Sequence, residues 1–258
     1  AGLTSRVALD TLGLNCHTFN GTLYIQDGGV IKSVNTATWE TTDVVTGLTE
    51  HATVQFYNHA NQMFYSDGTN IGRITSDGTA TNWGLSVAPT PTLGTTAGNL
   101  PAGRYLVAAT FVDANGIEHA ANKSAAITVD GTKDITATLS AVDSNATHIK
   151  WYVSKTNGYK VYYNKTTTVA AIPTTITDIY NDADSPNTVS REPLRTQNMS
   201  PPIPPDGIFG YRGMLMLIVE NAVFPSVGLY HHIYDINTNL EMRPDNILSG
   251  AGLNDGFW

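Results

Sequence analysis

The sequence has little charge and almost no cysteine. Charged residues make up 14% of the 258 residues, well below the roughly 25% that is usual for soluble domains. The single cysteine, Cys16, excludes an internal disulfide. No apolar run approaches the ~18 residues that a membrane-spanning helix requires. These absences argue against a disulfide-stabilised domain and against a helical membrane protein.

Basic residues are in the minority. The chain has 14 lysines and arginines against 22 aspartates and glutamates, for a net charge of −8. A surface that grips nucleic acid is normally basic, so this balance argues against one. The acidic excess lies at the two ends: residues 1–89 have three basic and seven acidic groups, and residues 199–258 have two and six. The segment between them has nine of each and is neutral.

Three passages share one strand pattern, at 19–31, 57–74 and 209–224. Each has an aromatic residue, a small polar turn, an apolar strand, an acidic or polar turn and a second apolar strand. The turns that begin at Asp27 and Asp67 lie 40 residues apart (67 − 27 = 40). The corresponding turn at Glu220 follows one further period plus about 110 residues. A period near 40 with several short strands is typical of β-propeller blades, although unrelated hairpins in an all-β protein are the alternative.

The middle of the chain has a different pattern. Clean alternation over 104–112 predicts a strand, and further strands are expected at 126–129, 134–139, 148–154, 159–164 and 174–179. This spacing favours an antiparallel β-sandwich with Trp151 as its core aromatic. The segments PAGRYLVAATFVDANG and IKWYVSKTNG resemble a fibronectin type III-like module. Proline-rich segments at 87–92 and 200–207 bracket it and are interpreted as linkers.

The predicted fold class is therefore all-β, with partial β-propeller-like repeats interrupted by an inserted β-sandwich module. The predicted domains are propeller-like repeats over 1–89 (blades 1 and 2), a fibronectin type III-like sandwich over 93–198 and a return to propeller-like repeats over 199–258. A propeller has about four to eight blades, and this chain supplies two or three. We therefore expect the last part to be incomplete, either because further blades follow Trp258 or because neighbouring chains complete the sheet.

No catalytic or metal-binding motif is present in the sequence. The only tight histidine cluster is His231-His232 with Asp235, and adjacent residues of a strand point to opposite faces. Asp178, Asp182 and Asp184 do not have the spacing of a calcium loop. We therefore predict no enzymatic activity, no catalytic site, no cofactor and no metal site.

One passage resembles the structural proteins of bacteriophage tails. It comprises Pro-Pro-Asp-Gly-Ile-Phe-Gly-Tyr-Arg-Gly-Met-Leu-Met-Leu at 204–217, Val-Phe-Pro-Ser at 223–226 and Tyr-His-His-Ile-Tyr-Asp at 230–235. The hairpin at 65–74 is similar to the blades of the same proteins. The chain departs from this family at its N-terminus, where the usual basic, arginine-containing stretch is missing.

The resemblance implies a virion protein of a short tail, of the nozzle or tail-hub type. Such a protein forms a homo-oligomeric ring around the channel through which the genome is ejected. Its implied partners are copies of itself, the adaptor and the fibres, with phage DNA passing through without specific binding. The alternative function is that of a carbohydrate-binding adhesin or receptor-binding tail protein, with Tyr57, Tyr65 and Trp83 as its sugar platform.

The candidate interface or surface residues come mainly from the same passage. They are Tyr211, Arg212, Tyr230, His231, His232, Tyr234, Phe257 and Trp258.

Overall fold

A computed structural model describes residues 9, 13–179, 192–228, 230–237, 241–242, 252–253 and 256–257. Within these ranges all regular structure is β-strand, and no helix long and apolar enough to cross a membrane occurs there. The strands of the first part are β1 Gly13–Phe19, β2 Thr22–Asp27, β3 Val30–Val34, β4 Thr41–Val45, β5 Gln55–His59, β6 Gln62–Ser66, β7 Ile71–Ile74 and β8 Ala80–Thr81. The middle strands are β9 Thr92–Ala97, β10 Gly103–Asp113, β11 Ala125–Val129, β12 Lys133–Thr138, β13 Ala146–Ser154, β14 Val161–Thr168 and β15 Thr174–Ile176. The last are β16 Gly207–Tyr211, β17 Met214–Val219, β18 Ala222–Val227, β19 Tyr230–Tyr234, β20 Glu241–Met242, β21 Gly252–Leu253 and β22 Gly256–Phe257.

The chain divides into two compact units. The first consists of Ala1–Gly84 together with Pro202–Trp258, and the second is Leu85–Pro201. Both boundaries fall at the proline-rich segments, but the first of these segments is not a free linker. Ala88 is fully buried in the core of the second unit, and its backbone N–H and carbonyl bond to Ala120 and Asn122. The linker interpretation of 87–92 was therefore wrong, because this segment packs as part of the second unit.

The first unit contains three antiparallel meanders of four strands each. Their strand orders are β1-β2-β3-β4, β5-β6-β7-β8 and β16-β17-β18-β19, with β20 added to β18. In each meander the first two strands are joined by a two-residue turn whose central residues both have positive φ. Such turns match the twist of the flanking strands. They are Asn20-Gly21, Ala60-Asn61 and Arg212-Gly213.

The middle meander is buried on both faces, because the side chains of β6 alternate. Met63 and Tyr65 pack against the first meander, in a cluster with Tyr24 and Ile31. Phe64, between them in sequence, points the other way into a cluster with the third meander. Period-two alternation therefore lets one short strand join two neighbouring sheets. The three central residues of β6, Met63, Phe64 and Tyr65, form a continuous apolar run for this reason.

Two buried polar side chains at the same repeat position reinforce this stacking. Gln26 lies six residues after Asn20, and its amide bonds to the backbone of Ala52 and Val54, just before β5. Ser66 lies six residues after Ala60, and its hydroxyl donates to the carbonyl of Pro205, just before β16. Both groups satisfy buried backbone atoms of the segment that leads into the next meander.

The β6–β7 connection is a four-residue turn organised by Asp67. This carboxylate accepts backbone hydrogen bonds from Thr49 (2.6 Å), Thr69 (2.8 Å) and Asn70 (2.5 Å). The amide of Asn70 adds a fourth at 2.9 Å. Burial alone would raise the pKa of Asp67, but these donors outweigh it and lower the pKa to about 2. The Asp67 carboxylate thus supports a four-residue loop rather than a tight two-residue turn.

We predict that Asp67→Asn destabilises the first unit by about 2 kcal/mol at neutral pH, because an amide cannot accept all four bonds. A folded pKa below the unfolded value gives stability that is present above pH ~4 and is lost as the pH falls toward 2. In urea titrations, the difference in the free energy of unfolding between wild type and variant should therefore shrink as the pH falls from about 4 to 2. Asp77→Asn, at a fully exposed turn carboxylate bonded to Thr75 and Thr79, is the control and should cost less. An equal loss for both variants would contradict the argument.

The second unit has two antiparallel sheets around a single apolar core. Their strand orders are β11-β10-β13-β14 and β15-β12-β9. Tyr105, Phe111 and Trp151 from the first sheet share one cluster with Ile135 and Ile176 from the second. Trp151 is fully buried, as the sequence predicted, and its indole N–H donates to the hydroxyl of Thr167 at 2.9 Å.

One strand of this unit begins later than the sequence indicated. The expected strand at 159–164 starts at Val161, which is buried, while Tyr159 lies in the preceding loop and is 83% exposed. A strand over 159–164 would place Tyr159, Val161 and Tyr163 on one face. The turn at 155–158 instead releases Tyr159 from the sheet.

Candidate functional site

The candidate site lies in the first unit, where β5, the β16–β17 turn and β19 meet. His59, the last residue of β5, contacts His231 of β19 edge to face, with ring centroids 4.3 Å apart. Tyr57 stacks beside His59 at 6.3 Å. At the adjacent turn, the guanidinium of Arg212 lies 5.1 Å from the ring centre of Tyr211. The result is a half-buried aromatic and histidine cluster at the junction of the second and third meanders.

Burial favours the neutral form of both histidines of this cluster. Desolvation lowers the pKa of His231 to about 4, and the neighbouring His59 lowers it further in the same direction. Desolvation also lowers the pKa of His59, against the effect of a hydrogen bond with the backbone of Gly213. The Nδ1 atom of His231 is buried and has no hydrogen-bond partner. A proton added here would create charge in a site that is partly removed from water.

We predict that acid weakens this junction. Because the folded pKa of His231 lies below its unfolded value, the unfolded chain binds more protons, and stability falls as the pH drops from about 6.5 to 4. The loss from His231 should be about 2 kcal/mol, after allowance for its partial exposure. His231→Phe should remove most of this loss, while His148→Phe, at an exposed position of the second unit, should not. Urea unfolding of the first unit at pH 7 and pH 4 measures it, and equal acid sensitivity of wild type and His231→Phe would contradict the mechanism.

The structure separates the predicted surface residues into two groups. Tyr230 is 43% exposed, Arg212 is exposed, and Tyr211 and His231 are half-buried. His232 and Tyr234 are buried, so the structure does not present them at a surface, and their role at an interface stays a prediction. Tyr234 fills the apolar cluster below the sheet, and its hydroxyl bonds to the carbonyl of His231 at 3.1 Å. Burial accordingly raises its pKa well above the ordinary value.

The remaining two predicted residues lie at the end of the chain. The backbone of Phe257 belongs to β22, which pairs with β21. Trp258 lies outside the described residues, so its predicted role stays a prediction.

The aromatic platform of the adhesin alternative is mostly core. Trp83 is fully buried, and its ring centroid lies 4.9 Å from that of Phe64. Tyr65 is also buried, with a pKa raised by burial to about 12, and its hydroxyl lies where a Cβ on Gly72 would stand. Tyr57 is half-buried. These three residues therefore do not present a flat stacking surface for a sugar.

Metal-ligating residues do not converge within the described part of the chain. There, no group of three or more histidine, cysteine, aspartate or glutamate side chains could hold an ion. The neighbouring imidazoles of β19 have different partners, His59 for His231 and Tyr230 for His232. Asp182 and Asp184, considered above for calcium, lie outside the described residues.

His59 was not singled out from the sequence, although the repeat contains the signal. With a step of 40 residues, Phe19 corresponds to His59, and the two-residue turns align Tyr211 with both. The residue at this repeat position is aromatic in the first and third meanders, where it is Phe19 and Tyr211. A histidine there could have been recognised as part of the same surface.

Comparison with known proteins gives no identification: no protein-family model and no curated protein matches the chain.

Proposed function

We propose that this chain is a structural protein of a phage tail, located in the virion, which assembles into a ring around the channel for genome ejection. In this proposal the three meanders of the first unit are propeller blades. The second unit is a fibronectin type III-like sandwich inserted between the second and third blades. The partners are other copies of the chain, the adaptor and the tail fibres.

The observation that carries the proposal is the serial stacking of the meanders. Each meander packs its face on the next one in sequence order, and β6 contributes Met63 and Tyr65 to one neighbour and Phe64 to the other. This is the packing relation between consecutive blades of a propeller. The same packing relation holds between the second and third meanders, although the second unit lies between them in the sequence.

The charge distribution supports a channel role. The ranges that form the first unit hold five basic and thirteen acidic residues, which is the whole net charge of −8. Tight DNA binding depends on lysine and arginine contacts that release counterions. An acidic wall instead repels the phosphate backbone, so DNA passes without being held. The low total charge suits a chain that buries much of its surface against other subunits.

Electron microscopy of the purified chain and of the particle tests the proposal. We expect closed rings of identical subunits around an open channel, formed through head-to-tail contacts. Duplex DNA added to the purified rings should not shift in a gel at physiological salt. Dispersed monomers with no channel, together with absence of the chain from purified particles, would overturn the proposal.

A further inference from the structure

The first meander has an apolar face that points away from the second meander. Leu23 and Ile25 lie three and five residues after Asn20, the first residue of the two-residue turn, and they flank Tyr24, which packs against the second meander. Because successive side chains of a strand point to opposite faces, Leu23 and Ile25 form the other face, here called the outer face. Val34 pairs with Leu23 in the neighbouring strand and belongs to the same face. Within the described residues, none of these three side chains is part of the apolar clusters that join the meanders.

In the other two meanders the same repeat positions are interfaces. The residues three and five places after the first turn residue pack there on the preceding meander. They are Met63, Tyr65, Leu215 and Leu217. All four are buried, whereas Leu23 and Ile25 are only half-buried. The outer face therefore has the apolar residues of a meander interface without the burial that such an interface provides.

Charged groups of the outer face leave its apolar part intact. Asp27 and Lys32 form an ion pair of 2.8 Å in which both side chains are buried. Asp43, opposite Lys32 in β4, is exposed, so β4 is the polar edge of the face. On the other side, Ile25 pairs with Cys16 of β1, which is also exposed. The apolar part is therefore centred on β2 and reaches β1.

We propose that the outer face binds a second copy of this chain, head to tail, at the far end of its series of meanders. Inside the chain, each interface joins a face of this kind to one that carries a large side chain four residues after the first turn residue, Tyr24 in the first meander and Phe64 in the second. In the third meander this residue is Met216, which points away from the second meander into a separate cluster, and β21 adjoins β16 there. The series therefore ends in the type of face that the outer face requires.

A second copy would thus continue the packing that already exists inside each chain. Because the two contacting faces differ, the contact is heterologous, and repeated contacts of this kind close into a ring. The inference rests on the proposed function, since it names the contact face of the proposed ring.

Size-exclusion chromatography with light scattering, combined with alkylation of Cys16, tests the inference. Cys16 is the only cysteine of the sequence, so its reaction with N-ethylmaleimide reports on the outer face alone. We expect the full chain to form oligomers in which Cys16 reacts about tenfold more slowly than in the dilute, dissociated chain. Leu23→Asp should raise the concentration needed for assembly at least about tenfold, because it places a charge in an apolar contact. Thr42→Asp, at an exposed position on the opposite face of the same meander, is the matched control and should assemble like wild type.

A second measurement does not depend on the folding of a variant. Wild-type chain that is labelled at Cys16 with a maleimide-linked polyethylene glycol while dissociated should fail to assemble when it is concentrated. Leu23→Asp should keep the thermal unfolding midpoint of Thr42→Asp, since Leu23 is only half-buried.

The possible contrary results point to different errors. Rings that persist in Leu23→Asp and after labelling of Cys16 would overturn this inference and leave the proposed function in place. A monomer would overturn it as well, and protection of Cys16 in that monomer would assign the outer face to a meander of the same chain. A dimer linked by a disulfide between two Cys16 residues would overturn it in favour of a symmetric pair. Absence of the chain from purified particles would overturn the proposed function alone, because the labelling assay needs no particle.

Discussion

Replacing Trp83 with alanine is expected to destabilise the first unit by about 3–5 kcal/mol, the cost of truncating a fully buried aromatic side chain. Trp83 is the largest side chain in the cluster between the second and third meanders, where it packs with Phe64, Leu215, Leu217 and Tyr234. Its indole N–H donates to the carbonyl of His231 at 2.9 Å. The substitution therefore leaves a cavity, and the carbonyl of His231 loses one hydrogen-bond donor.

The effect is large because Trp83 joins segments that are far apart in the chain. It lies two residues after β8, at the end of the second meander, yet besides Phe64 of that meander it contacts β17 and β19. The whole second unit is interposed between these segments. Loss of Trp83 should therefore weaken the attachment of the third meander more than the internal pairing of any meander.

Urea titration with hydrogen exchange read peptide by peptide measures this result. Peptides of β17 and β19 should lose protection in Trp83→Ala, and those of the second unit should not. Trp83→Phe keeps most of the apolar volume without the N–H donor and should cost less. Tyr159→Ala removes an exposed ring and should fall within about 0.5 kcal/mol of wild type. An equal destabilisation of both units would contradict the prediction that loss of Trp83 acts only within the first unit.

The sequence was sufficient to predict most strands, because turn residues and apolar alternation are local signals. The apolar strand expected within 209–224 is β17, Met214–Val219, and the expected turn at Glu220 follows it. The repeat was also located correctly. It was defined by the turns that begin at Asp27 and Asp67, however, and the lengths of these turns differ between the meanders. The constant element is the preceding two-residue turn, which at Ala60-Asn61 carries no glycine. Positive φ at an alanine is uncommon and depends on the flanking strands, so the local sequence gives little warning of it.

Side-chain exposure was predicted less well than strand position, because it depends on which sheet covers which face. Tyr234 resembles a surface aromatic in a polar, histidine-rich context, yet stacking of the third meander on the second buries it. Tyr159 was expected at the start of a strand, but it lies in the preceding loop and is 83% exposed. The Asn157 turn, bonded to Arg104 some 50 residues earlier (157 − 104 = 53), removes it from the sheet. Contacts over such separations are not visible in a local pattern.

The second large effect is expected at Trp151 in the other unit. This residue lies at the centre of β13, is fully buried and contacts the core shared by both sheets of the unit. Trp151→Ala should destabilise the second unit by about 3–5 kcal/mol. Thr167→Val removes only the acceptor of the indole N–H, leaves a buried donor unpaired and should cost about 1–2 kcal/mol. Guanidinium unfolding followed by hydrogen exchange of β10 and β13 peptides measures both losses.

Together, the two tryptophan variants form a cross-test of the division into units. If each unit has its own core, Trp151→Ala should leave the protection of β6 and β17 unchanged, and Trp83→Ala should leave that of β10 and β13 unchanged. The double variant should then show the sum of the two losses, because substitutions without shared partners act additively. A double variant that differs from this sum by more than about 1 kcal/mol would show that the second unit supports the stacking of the second and third meanders.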